Sequence, residues 1–322
     1  MKTPGLSRIF HPLYVLLAGV TGGVIVVLLF VQNYPGPGDL VGEKFIHTPS
    51  YWVWIFLFFV LTSLVTIFFL PSWGMFVWLF RNHIASREKA HHRRTFTLLL
   101  LTASMVTMIV FLLFLLINSV QLGFQDDLPK VHGKRMTFMF SYIYLMLLPL
   151  ILTMILIHTD AQDLSSQIET AGQDENRLFV LIQELLINRN LLQNALLIAG
   201  IIMSMVPIAT AGLRAALIAV NPQNEQKLPI TAVIIYGLVF TILLIFIYAP
   251  THFAVLETSR KLRDHLSPMG SIATLKDTVE KRKLLDEMLQ TNVGITQNLR
   301  AGIATLSPLV TSLIVSVLGI NI

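Results

Sequence analysis

The chain carries a histidine and a carboxylate whose spacing suits acid–base chemistry. His158 and Asp163 are separated by four residues and directly follow an apolar run. In such a pair the histidine takes a proton from an acceptor hydroxyl, and the carboxylate orients the imidazole ring. At the end of an apolar run, the pair would stand at a membrane surface and act on a lipid. One hypothesis is therefore a lipid-modifying enzyme built around His158 and Asp163.

The surrounding sequence favours a simpler interpretation of this pair. The same spacing occurs in glycerolipid acyltransferases, but their glycine-rich acidic block has no counterpart in this chain. The HExxH, GxSxG, P-loop and Rossmann glycine patterns are also missing from the sequence. We therefore interpret this stretch as the start of a helix capped by Thr159 or Asp160, and we predict no catalytic residue.

The histidines raise a second possibility, a metal site. Most of the nine lie near the ends of apolar runs: His83, His91, His92, His158, His252 and His265. Membrane desaturases bind metal through dense HxxxH and HxxHH boxes, which this chain lacks. Because the chain has no cysteine, thiolate metal sites, iron–sulfur clusters and cysteine nucleophiles are excluded. We predict no metal and no cofactor.

The composition assigns the chain to the membrane class. Only 13% of the 322 residues are charged and the mean hydropathy is +0.71, whereas soluble domains carry about 25% charged residues. The net charge of +5 does not indicate nucleic-acid binding, because Lys and Arg punctuate apolar runs instead of clustering on one surface. We expect membrane lipids as partners and no nucleic acid.

The apolar runs define the predicted spans. A helix needs about 20 apolar residues to cross a hydrocarbon core of about 30 Å. Runs of this kind occupy residues 12–31, 51–70, 96–120, 137–157, 191–210, 229–248 and 301–320. The last run contains several Thr, Ser and Pro residues and is less apolar than the others. It either spans the membrane or forms a re-entrant segment. The sequence predicts an all-α integral membrane protein, with residues 1–322 forming a single membrane domain of about seven transmembrane segments.

The charged residues predict the orientation and restrict the chemistry. Basic residues near membrane spans are retained on the cytoplasmic side. If the N-terminus is cytoplasmic, most of the 23 Lys and Arg residues lie on that side of the membrane. We therefore predict an integral protein of the cell (inner) membrane with a cytoplasmic N-terminus. All 18 carboxylates lie outside the predicted spans. This distribution argues against a proton- or sodium-coupled transporter, which usually places an acidic group inside the membrane.

Two further segments have helical spacing of apolar residues. They cover residues 160–190, with a probable break at Gly172, and residues 272–293. Each has an apolar face to bury, so we expect them to pack on each other as a cytoplasmic helical layer that buries Leu178 and Leu285. The second span continues past Pro71, where we predict a bend and a short interfacial helix carrying Trp73.

Small and hydroxyl-bearing residues concentrate in the fifth and seventh spans. Such a stripe either packs closely against a neighbouring helix or lines a hydrated path. The candidate pore-lining or helix-packing residues are Ser204, Pro207, Thr210, Thr305, Pro308, Thr311, Ser312 and Ser316. Gly19 and Gly23 form a GxxxG pair that indicates self-association. Arg214, just beyond the fifth span, is interpreted as snorkelling to the outer headgroups.

These observations predict a non-enzymatic, channel-like transport protein. Our leading hypothesis is a homo-oligomer that forms or gates a passage for ions or small solutes, coupled to the cytoplasmic helical layer. The alternative is a scaffold or accessory subunit of a larger membrane complex, whose small-residue faces bind partner helices. The lipid-modifying enzyme around His158 and Asp163 comes third.

Overall fold

The computed structural model describes residues 12–31, 40–85, 97, 132–172, 174–268, 275–289, 291 and 295–317, and this part of the chain is nearly all helical and contains no strand. In chain order the helices are α1 (Pro12–Phe30), α2 (Leu40–Ile46), α3 (Pro49–Ala85), α4 (His132–Ala171), α5 (Glu175–Val220), α6 (Asn224–Lys227), α7 (Ile230–Leu266), α8 (Leu275–Leu289) and α9 (Ile295–Val317).

Five of these helices are long and apolar enough to cross a membrane. They are α1, α3, α4, α5 and α7, and they contain the first, second, fourth, fifth and sixth predicted spans. The chain is therefore an integral membrane protein, and its described part is nearly all helical. The predicted seventh span lies in α9, whose apolar part is described over Ala301–Val317. The predicted third span, residues 96–120, lies outside the described residues apart from Thr97.

Helix α5 occupies the centre of the bundle. It contacts α3, α4, α7 and α9, whereas α1 packs mainly against α3. In the most apolar stretch of α5, 61% of the residues are buried inside the protein, whereas the corresponding share in α1 is 28%. The difference follows from the neighbours of each helix, because α1 leaves one side open at the edge of the bundle.

The glycines of α1 bring its backbone close to α3. A Cβ atom added to Gly22 would lie 2.8 Å from the carbonyl oxygen of Thr62, and the Ser63 hydroxyl donates to the carbonyl of Gly19 at 2.9 Å. A side chain on Gly23 would meet the ring of Phe59. The glycine face of α1 therefore contacts α3 of the same chain. The prediction that the GxxxG pair marks a self-association face is wrong.

Helix α3 continues through Pro71 without breaking. Proline removes one backbone N–H and leaves a carbonyl unpaired four residues earlier. The Tyr14 hydroxyl of α1 shares its proton between the carbonyls of Thr66 at 3.0 Å and Ile67 at 3.2 Å, and it accepts the N–H of Leu70 at 3.2 Å. The predicted separate helix carrying Trp73 is therefore wrong, because a neighbouring side chain replaces the lost bond and the helix runs on to Ala85.

The long helices extend beyond their apolar parts. Helix α4 runs unbroken from His132 to Ala171, so the predicted helix start at Thr159 or Asp160 is wrong. The predicted break at Gly172 is confirmed: this glycine has a φ of 58°, which side chains disfavour. The Asp174 carboxylate then accepts backbone N–H groups at the start of α5 and caps it.

We call residues 158–171, 175–190, 251–266 and 275–289 the polar extension. Its α4 and α5 segments form a hairpin that packs against α7, and α8 also packs on α7. Leu178 is buried in this arrangement, whereas Leu285 is only half-buried. Polar side chains join the parts: the Thr258 hydroxyl donates to the Ala161 carbonyl at 2.9 Å, and His265 donates to the carbonyl of Gly172.

Candidate functional site

Helix α9 lies in a seam between α5 and α7, which we call the α9 seam. Two glycines set its width. A Cβ atom added to Gly200 of α5 would lie 2.6 Å from the carbonyl oxygen of Ala304, and one added to Gly237 of α7 would lie 2.6 Å from that of Pro308. Because no side chain fits at these points, the α9 backbone touches both neighbours directly, as small residues permit in membrane helices.

The proline of α9 sits where the seam is narrowest. Pro308 supplies no backbone N–H to the Ala304 carbonyl, and this carbonyl instead accepts the Ser307 hydroxyl at 2.8 Å. The next N–H, that of Leu309, donates to the Thr241 hydroxyl of α7 at 3.2 Å. The Ser307 hydroxyl also lies 3.2 Å from the carbonyl oxygen of Gly200. Side chains on both sides of the seam thus satisfy the backbone disturbed by the proline.

The candidate stripe residues of α9 divide by burial. Thr305, Pro308 and Ser312 are buried, whereas Thr311 and Ser316 are half-buried. On α5, Pro207 is buried while Ser204 and Thr210 are half-buried. The opposite face of α9 is apolar and exposed; it comprises Ile303, Leu306, Val310, Leu313, Ile314 and Val317.

The hydroxyls of the stripe bond to their own helices. Ser312 donates to the Leu309 carbonyl at 2.7 Å, Thr305 to the Ala301 carbonyl at 2.7 Å, and Ser316 to the Leu313 carbonyl at 2.9 Å. Ser204 and Thr210 do the same on α5. Hydroxyls bonded in this way are satisfied without water, so the seam closes as a close-packed helix contact.

A buried arginine of α5 binds the C-terminal end of α8 within the polar extension. The Arg189 side chain of α5 is only 8% exposed, and its guanidinium donates to the carbonyl of Leu289, the last residue of α8, at 2.7 Å. A charged donor of this kind makes a stronger bond than a neutral one. Sequence reasoning treated Arg189 only as an indicator of topology, because nothing local signals a partner 100 residues away.

Ion pairs hold the rest of α8 on α7. The Arg263 guanidinium lies 2.9 Å from the Asp286 carboxylate, and Arg282 lies 3.0 Å from Asp264. Arg282 also donates to the carbonyl of Ser267 at 2.8 Å, and the Thr291 hydroxyl donates to Asp286. We call these contacts, together with that of Arg189, the α8 latch.

Hydrogen bonding shifts the titration of the paired groups in the α8 latch. Burial by itself would raise the pKa of the Asp286 carboxyl, but hydrogen bonds from Thr291 and Arg263 outweigh burial and hold the pKa below its usual value. The hydrogen bond to Asp286 raises the pKa of Arg263 in return. Both groups therefore stay charged at neutral pH and keep their attraction.

Arg214 has a different role from the predicted one. Its side chain is buried, donates to the carbonyl of Leu228 at 2.8 Å and lies 3.5 Å from the Glu225 carboxylate. The residue therefore fastens the turn between α5 and α7, and the snorkelling interpretation is wrong. The short turn after α5 brings the Leu228 carbonyl back to the end of α5. The Arg214 guanidinium therefore binds this carbonyl and not the headgroup region.

The residues considered for catalysis lie within continuous helices. His158 Nε2 is 3.1 Å from the Gln162 amide, and Asn188 donates to Asp160. Tyr248 and His252 share a contact of 3.1 Å on α7. Among the described residues, no group of three His, Asp or Glu side chains is arranged to hold a metal ion. His91 and His92 lie outside the described residues.

The chain was compared with known protein families, curated proteins and solved structures. No protein family model matches the chain, and no curated protein or solved structure shows significant similarity to it.

Proposed function

We propose that this protein gates a membrane passage for ions or small solutes, with α9 as the moving element and the polar extension as the part that senses a signal. The carrying observation is the bond from buried Arg189 to the carbonyl of Leu289. Because α9 begins at Ile295, soon after Leu289 in the sequence, we propose that a shift of α8 is passed on to α9.

The chemistry of the α9 seam suits a passage that is closed at rest. The seam is lined by hydroxyl groups and by backbone atoms that touch at glycines. If α9 separated from α5 and α7, these polar groups could contact water in the opened path. The residues that meet in the seam carry no charge that would bind a passing ion tightly. The predicted spans hold no carboxylate or histidine, which favours passive flow over coupling to a proton or sodium gradient. Pro308 provides the point where α9 bends at low cost.

The polar extension is proposed to face the cytoplasm. The support is the distribution of Lys and Arg, most of which fall on this side when the whole chain is threaded through the membrane. Since the chain has no cysteine, a single cysteine at exposed Asn176 or at exposed Lys44 reports the side on which that residue lies. A membrane-impermeant maleimide should label Lys44→Cys in intact cells and Asn176→Cys only after lysis. The reverse pattern would invert the topology.

The gating proposal is tested by fixing α9 against α7 with a disulfide between Gly237→Cys and Ser312→Cys. A Cβ atom on Gly237 would lie 2.6 Å from that of Ser312 and 2.6 Å from the Pro308 carbonyl oxygen, whereas a disulfide needs about 3.8 Å between its Cβ atoms. The cysteine therefore fits only after α9 has moved outward, and the oxidised pair then holds α9 at that fixed distance and prevents further opening. Oxidation should abolish solute flux in liposomes, and reduction should restore it, while each single variant is insensitive to both. Equal flux before and after oxidation would refute movement at this seam.

The second candidate is a scaffold subunit, favoured by the hydroxyls that bond to their own helices. The double variant Thr311→Leu/Ser312→Leu separates the two functions. For a gate, the larger apolar groups should lower conduction in protein that still assembles, because they favour dewetting of a narrow path. For a scaffold, overpacking should cost about 1–3 kcal/mol and lower assembly first. Normal assembly with unchanged flux would place the scaffold ahead of the gate.

A further inference from the structure

The face of α5 that touches α9 carries a buried arginine near each of its ends. Gly200, where α9 contacts α5, lies about three helical turns after Arg189 and about four turns before Arg214. Residues separated by whole turns lie on the same face of a helix, so these three residues share one stripe. Both arginines are only 8% exposed. The α9 seam is therefore bordered by two buried arginines, whose positions are roughly 38 Å apart along α5.

The matching stripe of α7 leads to the same end of the seam as Arg189. Tyr248 and His252 lie about three turns beyond Gly237 and Thr241, two α7 residues that contact α9. The Tyr248 hydroxyl is 3.1 Å from His252 Nδ1. Burial lowers the pKa of His252, and the nearby charge of Arg189 lowers it further. The imidazole is therefore neutral at pH 7, and the arginine supplies the positive charge at this end.

Arg214 stands at the opposite end of the seam. Ala211, about one turn before it on α5, belongs to a buried cluster with Val233 of α7 and Val315 of α9. The three helices of the seam therefore still meet next to this arginine. Because a hydrocarbon core is about 30 Å thick, the spacing between the two arginines places them near its two surfaces. An ion that crossed between α9 and its neighbours would pass both.

The balance of charge along the seam is positive. The segments that form it contain no Asp or Glu; they are residues 190–220, 230–256 and 295–317. Asp160 of α4 bonds to Asn188, which projects about 100° away from Arg189 around α5. Glu225 lies 3.5 Å from Arg214, but the glutamate side chain is 70% exposed, and water weakens such a pair. The buried arginines are screened by solvent much less than this exposed carboxylate.

We propose that the passage along the α9 seam selects small inorganic anions such as chloride, and that Arg189 and Arg214 set this preference. The inference rests on the gate proposed above, because it assigns the charge of the ions that the opened seam carries. Positive side chains at both ends of a narrow path raise the local concentration of anions and repel cations. The uncharged hydroxyls between the arginines bind an anion weakly, so it can leave again.

The reversal potential of the full chain in planar bilayers, under a gradient of potassium chloride, tests the selectivity. This quantity reports the ratio of chloride to potassium permeability and does not depend on how often the gate opens. The unchanged chain should favour chloride. Arg189→Gln and Arg214→Gln should each lower the ratio about tenfold, because each removes one unit charge from surroundings of low dielectric constant. Arg189→Lys keeps the charge and should keep most of the preference.

The matched control is Arg177→Gln, at an exposed position of α5 outside the seam, which should leave the permeability ratio unchanged. A preference for potassium in the unchanged chain overturns the inference while the gate stands. The same holds if the ratio stays unchanged in both Arg189→Gln and Arg214→Gln, or if it falls equally in the control. Absence of current for either ion in the unchanged chain would refute the gate and the anion selectivity together. If Arg189→Gln fails to assemble, Arg214→Gln and the unchanged chain still decide.

Discussion

The α9 seam and the α8 latch belong to neighbouring parts of the chain but are held by different forces. In the seam, glycines bring backbones into contact and hydroxyls bond to their own helices, so the attraction comes from close packing. In the latch, charged side chains carry the contacts, and most of the apolar side chains of α8 remain exposed or half-buried. Packing of the first kind resists changes of pH and salt, whereas attraction of the second kind responds to both. The seam and the latch should therefore differ in their response to pH and salt.

The largest effect is expected from widening the α9 seam. Gly237→Leu forces a side chain towards the Pro308 carbonyl, 2.6 Å from the added Cβ atom, and backbone atoms cannot rotate away. We expect the free energy of unfolding to fall by about 3 kcal/mol, measured by denaturation in mixed micelles.

The matched control for this substitution is Gly302→Leu on α9, where an added Cβ atom meets nothing within 4 Å. This variant should differ from the unchanged chain by about 0.5 kcal/mol or less. If both leucines destabilise equally, the seam is not the tight contact described.

A smaller effect should follow from cutting the latch at Arg189. Arg189→Met removes the donor to the Leu289 carbonyl, and a hydrogen bond to a charged group contributes about 2 kcal/mol. Amide hydrogen exchange of α8 should accelerate roughly 30-fold, while exchange in the buried part of α9 stays slow. Arg177→Met, at an exposed position on the same helix, is the control. Equal acceleration in α8 and α9 would erase the distinction between the two regions.

Asp286→Asn tests the ionic character of the latch. The change removes the charge facing Arg263 at 2.9 Å, and we expect a loss of about 1 kcal/mol in the attachment of α8 because both partners are partly solvated. Exchange of α8 amides measures the loss, and Glu287→Gln, at an exposed site beside it, should have no effect. An equal loss in high salt and low salt would argue against an ion pair.

The same carboxylate gives the latch a pH dependence. Its pKa is lowered in the folded chain, so the stabilisation is complete above the ordinary carboxyl pKa of about 3.9 and is lost as the pH falls through the lower folded value. Protection of α8 should therefore weaken below about pH 4 in the unchanged chain. Asp286→Asn should lack this acid step, whereas the α9 seam should show none in either protein.

The smallest effect concerns one hydrogen bond across the seam. Thr241→Val removes the acceptor for the Leu309 N–H but keeps the volume, and such bonds contribute about 0.6 kcal/mol in membrane bundles. Mixed-micelle denaturation should detect this loss in Thr241→Val, and Thr241→Ser should restore part of it. A loss as large as that of Gly237→Leu would mean that polar bonding, and not packing, closes the seam.

The amino-acid sequence determined the membrane class and the positions of the apolar helices. Length and composition suffice for this, because a helix in hydrocarbon must bond its own backbone and cover it with about 20 apolar residues. Gly172 was likewise predictable, since a helix that reverses direction commonly ends at a glycine with positive φ. The separation of α9 into a polar stripe and an apolar face follows from helical periodicity alone.

The tertiary structure alone decided which groups meet. Pro71 predicted a break, yet α3 continues because a tyrosine of another helix satisfies the freed carbonyl. Arg189 and Arg214 both looked like surface charges, and both are buried against carbonyls of other segments. A long side chain can reach several partners, and which partner it takes depends on how the helices pack. Sequence spacing records the face of a helix on which a residue lies, but the atoms opposite that face are set only when the bundle closes.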